Sequence, residues 1–256
     1  MEKLDRKLSP QPKTDWKKRL GPVGIALAGL AKYKTFLFIL LAKGKFLISA
    51  LAYLGLYWAL YGWWFAVGIT GSVFMHEMGH YLVARRFGFV AQLPMFIPGF
   101  GAYVKWNGAG VDPNVRAQIS LAGPLFGFLS GLISYGIFLS NGHAIWLAVA
   151  QFAGVINLLN LIPVSLGMIN LDGFPAMMAI GLQGRLAVLL VSVALFFMLG
   201  GYLFLAVAAA TAYRIWKRDF PAGAQQRIAY GFIGLVVANG YLSWFAQNQA
   251  QTLFGR

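Results

Sequence analysis

From Phe46 to Met75 the chain carries no charged residue, and then His76-Glu77-Met-Gly-His80 brings three ionisable side chains together. An apolar run of that length is enough to cross a bilayer as helix, the form in which a chain segment satisfies its own backbone in lipid. Gly62-Trp63-Trp64 reads as an interfacial turn, which predicts spans over about 46–61 and 64–84, and Arg85 and Arg86 mark a return to the cytoplasm. A charged side chain at the centre of such a helix costs roughly 2.5 to 3.5 kcal/mol, so ionisable groups there are functional candidates. On a helix His76 and His80 stand one turn apart on one face, where both imidazoles can reach one metal ion. Glu77 lies beside that face, placed to act as general base on a water without being a ligand. The plainer alternative is a helix end that reaches interfacial water.

The whole chain agrees with a membrane reading. It has 59% hydrophobic and 11% charged residues and a mean hydropathy of +0.67, against about a quarter charged in soluble domains. The expected fold class is an all-α membrane protein of about six transmembrane helices with a short membrane-associated β-like loop. The net charge of +14 does not imply a nucleic-acid partner. Seven of the 21 basic residues lie in the first 20 positions, and Lys32, Lys34, Lys43 and Lys45 follow, a distribution suited to an anionic leaflet. Nothing in this basic start reads as a cleaved signal peptide. The chain divides into a basic cytoplasmic tail and interfacial segment (1–45), a transmembrane core that would carry the chemistry (46–182), and additional C-terminal transmembrane helices (183–256).

Beyond Arg86, Pro94, Pro98, Gly99 and Gly101 argue for an irregular apolar loop, with a short strand over Ala102-Tyr-Val-Lys-Trp106. Such a loop is tolerated at membrane depth where protein buries it or it lines a cavity. Ile119 to Ser140 reads as a span whose Gly123, Gly127 and Gly131 form a small-residue stripe for helix packing. The uncharged run from Ala144 to Asn170 should break at Pro163 and Gly167. Ala187–Tyr213 and Ile228–Phe245 supply two further spans. This count leaves Arg214, Lys217 and Arg218 on the outside, against the positive-inside tendency.

A hydrolytic zinc site commonly has three protein ligands, and a chain with no cysteine must take the third from histidine or a carboxylate. His143 sits in a turn and reads as a solvated loop residue. Glu2, Asp5 and Asp15 belong to the tail, Asp112 to a polar loop and Asp219 to a basic connection. Asp172 is left, the one carboxylate besides Glu77 set in a long apolar tract, with helix capping as its alternative role.

In this order, His76-Glu77-x-x-His80, Ala122-Gly-Pro124 and Leu171-Asp172-Gly173 resemble the site-2 protease family of intramembrane zinc metalloproteases, peptidase family M50. The resemblance covers about Phe46 to Ala176. It implies that His76, His80 and Asp172 bind Zn2+, that Glu77 activates water, and that an asparagine holds the substrate carbonyl. Asn160, in Asn160-Leu-Ile-Pro163, is the candidate and Asn157 the alternative; interhelical glue is the bland role for either. The gap from Pro163 to Leu171 is longer than the family pattern. The implied partners are a transmembrane protein or peptide substrate and the lipid bilayer, and the implied location is a bacterial inner membrane. Substrate would lie extended beside Ala102, Tyr103 and Val104. The rival reading is a non-catalytic metal-binding membrane protein or carrier derived from the same fold, in which Glu77 has no task.

Overall fold

The computed structural model describes residues 44–167 and 169–255, and the fold below is that of the unit Phe46–Arg256. The expectations for a basic tail and interfacial segment over residues 1–43 lie outside the described residues. Helix α1 (residues 44–61) turns at Gly62 into α2, Trp63–Arg86, which carries the His-Glu-x-x-His motif. Tyr53 of α1, Val73 of α2 and Phe96 form one small buried cluster, which fixes α1 and the following loop against α2. That loop contains a two-stranded antiparallel hairpin, β1 (Met95–Ile97) and β2 (Gly101–Tyr103), with Phe96 opposite Ala102. The strand is shorter than the sequence predicts. Val104 lies just past it, and Trp106 makes only an isolated bridge to Ala91.

Helix α3 (Pro113–Asn141) begins six residues earlier than the hydropathy suggests, because Asp112 caps it by accepting from the Asn114 and Val115 amides and Pro113 occupies its first turn. Helix α4 (Ile145–Asn160) returns and ends just before Pro163. The long gap before Leu171 is then taken up by a second small hairpin, β3 (Ser165–Leu166) and β4 (Ile169–Asn170), closed by the Leu171 amide donating to the Val164 carbonyl at 3.2 Å. The extra residues are looped out, so Asp172 follows the end of α4 in space despite the distance in sequence. A short helix α5 (Gly173–Met177) follows.

The expectation of one span over Ala187–Tyr213 is corrected. Two helices stand there, α6 (Leu182–Leu199) and α7 (Tyr202–Trp216), joined at Gly200 and Gly201 with φ of 73° and 97°. Consecutive positive φ values are open to glycine without steric cost, and they reverse the chain where hydropathy alone runs on. Helix α8 (Gln226–Phe254) completes the fold. The long core cluster runs from Ala117 and Leu121 of α3 through Leu158, Met177 and Val188 to Val207 and Phe232, so α6, α7 and α8 pack on the segment that follows Asp172. Arg185, fully buried on α6, holds that segment in place. Its guanidinium donates to the Met177 and Ile180 carbonyls at 3.1 and 2.8 Å, and to the Asp219 carboxylate. Among the described residues three helices, α3, α6 and α8, are long and apolar enough to cross a membrane; α4 and α7 are shorter apolar helices. Helix α2, with 24 residues, reaches about 36 Å.

Candidate metal centre

Helices α2 and α3 cross where the motif lies. A Cβ added to Gly79 would stand 2.3 Å from the Ala122 carbonyl oxygen, so the glycine inside the motif is what lets the two backbones touch. On the facing helix a Cβ on Gly123 would lie 2.2 Å from His80 Nε2 and 2.8 Å from His76 Nε2. The glycine stripe of α3 therefore makes room for the site as well as for helix packing: Gly123 faces the imidazoles and Gly127 faces Asn157.

The two imidazoles are held by their Nδ1 atoms. His80 Nδ1 donates to the Ile119 carbonyl at 2.8 Å, and His76 Nδ1 lies 2.7 Å from Asn157 Oδ1. Both Nε2 atoms converge, 3.2 Å apart, and Asp172 faces them with Oδ2 3.0 Å from His76 Nε2 and Oδ1 3.3 Å from His80 Nε2. Asp172 occupies the N-cap position of α5 but makes no capping bond with its side chain; Ser120 Oγ donates to its backbone carbonyl at 3.0 Å. With Nδ1 carrying the proton, each Nε2 offers a lone pair, so three electron-rich atoms meet at one point. A cation between them would satisfy all three. Two imidazoles and a carboxylate are a donor set of hydrolytic zinc sites, and two nitrogens bound at about 2.0 to 2.1 Å in a tetrahedron stand about 3.3 Å apart, close to the spacing here. His76, His80 and Asp172 are the group among the described residues whose ligand atoms lie within 4.8 Å of one another.

Glu77 is buried beside the cluster, near the Val104 backbone, and lines the same cavity of about 830 Å³. The cavity wall also includes Ala102, Tyr103, Val104 and Asn160, so the structure brings each of these sequence-predicted residues to the space in front of the imidazoles. Asn157 is elsewhere: it is fully buried behind His76 and bonded to its ring. His143 is exposed at the opposite end, beside a second cavity of about 560 Å³ with Trp63, Trp64 and Trp146. Sequence reasoning missed Asn239, whose Oδ1 accepts from Asn157 Nδ2 at 2.9 Å. The available signal was a polar residue within the apolar stretch of α8.

A helical, membrane-type protein with a His-His-Asp cluster and an adjacent buried glutamate is the class this fold and site define. The sequence profile of Peptidase family M50 matches residues 64–238, which include His76, Glu77, His80, Asn157, Asn160 and Asp172 but not Asn239, and the chain belongs to that family of metallopeptidases. It is also similar to the Probable zinc metalloprotease EGY1, chloroplastic, of Arabidopsis thaliana, 34% identical over 83 residues that make up 30% of this chain and 15% of that relative. No solved structure matches the chain.

Proposed function

We propose that the chain is a site-2-type intramembrane zinc metalloprotease, in which His76, His80 and Asp172 hold Zn2+ and peptide bonds of transmembrane substrates are hydrolysed at the cavity they face. The observation that carries this reading is the convergence of both Nε2 atoms and the Asp172 carboxylate on one point, with Glu77 buried beside it. When bound there, zinc supplies Lewis acidity toward a carbonyl and toward water. Glu77 takes the proton from the attacking water and returns it to the leaving amine. Asn160 donates its amide to the substrate carbonyl, a role supported by its position in the cavity wall. Among the described residues β2 pairs only with β1. Its other edge has no strand partner there and would hold substrate as an added strand, which keeps an unwound helix hydrogen-bonded while its carbonyl is exposed. Regulated intramembrane proteolysis in a bacterial inner membrane is the setting this reading implies.

Zinc content and cleavage of single-span substrates test the proposal. Glu77→Gln should keep one zinc per chain and lose cleavage by several orders of magnitude, whereas Asp172→Asn should lose both. A Glu77→Gln protein that cleaves at the original rate refutes the proteolytic assignment, and full zinc occupancy in Asp172→Asn refutes the ligand set. The carrier reading predicts instead that Glu77→Gln changes nothing measurable.

A further inference from the structure

Asn239 lies on α8, one residue past the end of the family match, with its side chain fully buried. Its Nδ2 donates to the Leu235 carbonyl at 3.0 Å and reaches the Pro124 carbonyl at 3.5 Å. Carbonyls only accept, so these contacts fix which end of the amide is nitrogen. Asn239 Oδ1 is thereby turned toward Asn157, whose Nδ2 donates to it at 2.9 Å. That bond in turn directs Asn157 Oδ1 to His76 Nδ1, 2.7 Å away. Hydrogen-bond polarity runs one way, from backbone carbonyls through two amides to the ring.

We infer that Asn239 is a positioning residue for the metal centre: through Asn157 it fixes the ring orientation and tautomer of His76, so that Nε2 presents its lone pair to the point facing Asp172. The inference rests on the reading of His76 as a metal ligand. Without Asn239 the Asn157 amide can rotate by half a turn and offer Nδ2 to the ring. His76 Nδ1 then becomes the acceptor, and the proton moves to Nε2, where it points into the cluster. The two ligands differ in this respect. His80 is set directly by the Ile119 carbonyl of α3, whereas His76 depends on side chains from α4 and α8. The room for the relay is also built in, since a Cβ on Gly127 would stand 2.2 Å from Asn157 Oδ1.

The test uses the full chain in lipid, with zinc affinity read by chelator competition and the presence of the proton on His76 Nδ1, the atom that faces Asn157, read from its nitrogen shift in the metal-free protein. Asn239→Leu should lower zinc affinity about 10- to 100-fold and remove the proton from His76 Nδ1. Asn239→Asp, which as a neutral acid keeps one donor and one acceptor, should retain both properties. Because Asn239 acts through Asn157, the double substitution Asn157→Leu with Asn239→Leu should lose no more affinity than Asn157→Leu alone. Unchanged affinity with an Nδ1–H ring in Asn239→Leu overturns the inference, as do losses that simply add. If the leucine variant does not fold, Asn239→Ala is read by the same two measurements. The Nδ1 measurement needs no metal, so an unsubstituted protein that binds no zinc would defeat the ligand reading while the relay is still decided by the nitrogen shift.

Discussion

At the scale of single residues the site depends on an absent atom as much as on its charged groups. Gly123 presents no side chain where His76 and His80 converge, and a methyl there would occupy the space within 2.2 Å of His80 Nε2. Gly123→Ala should therefore reduce zinc affinity at least 100-fold. Gly136→Ala, on the same helix with nothing within 4 Å of the added carbon, should leave it unchanged. Chelator competition on the two variants checks this, and equal affinities would count against the placement of the metal. The His76 pair and Asp172 could be picked out of the sequence because so few ionisable residues interrupt its apolar tracts. Gly123 could not be assigned beyond packing, since a four-residue glycine spacing describes a helix surface without saying what faces it. Asn239 was equally silent: an asparagine in an apolar helix has the same pattern whether it bonds to a neighbouring helix or orients a ligand.

At the scale of elements, hydropathy gave the helices their approximate extents and hid their breaks. Residues 187–213 read as one apolar run, and only the backbone at Gly200 and Gly201 divides it into α6 and α7. The start of α3 was set by a local hydrogen bond at Asp112, which hydropathy does not register. The two hairpins were legible as breaker-rich loops, but their pairing depends on contacts distant in sequence. Phe96, for instance, is held in β1 by burial against Tyr53 and Val73, and its amide donates to Ser49 Oγ at 3.2 Å. The edge of β2 away from β1 carries a prediction of its own. Tyr103→Pro, at an exposed position of that strand, should slow cleavage of a transmembrane substrate about tenfold or more while leaving zinc content intact. Parallel measurements of rate and metal content check it; an unchanged rate would remove strand addition from the mechanism.

At the scale of the molecule, the split of α6 from α7 changes where charge falls. The helices alternate in direction, as the pairs His80 with Ile119, Ser72 with Ser130 and Asn157 with Gly127 demonstrate for α2, α3 and α4. The connections at one end are residue 62, residues 142–144 and residues 200–201, and they contain no Lys, Arg, Asp or Glu. Arg85, Arg86, Lys105, Arg116, Arg214, Lys217, Arg218 and Arg227 all gather at the other end, where Asn114 of α3 also bonds to the Gly223 carbonyl. The conflict in the sequence count disappears, because α6 and α7 form a hairpin that returns Arg214 to the basic side. A chain without cysteine allows a direct check. A single cysteine at Ala222 should react with an impermeant thiol reagent only from the cytoplasmic face, and one at Asn141 only from the opposite face. Labelling of both from one side would overturn the orientation. The bonding of His76 to Asn157 and of Asn157 to Asn239 also limits what can be transplanted. A designer who copied the motif helix and the Asp-Gly turn into another membrane scaffold would carry over His76, His80 and Asp172 but leave behind the side chains on α4 and α8 that hold the His76 ring. The smallest portable version of this centre is the assembly of four helices and a turn, held in register.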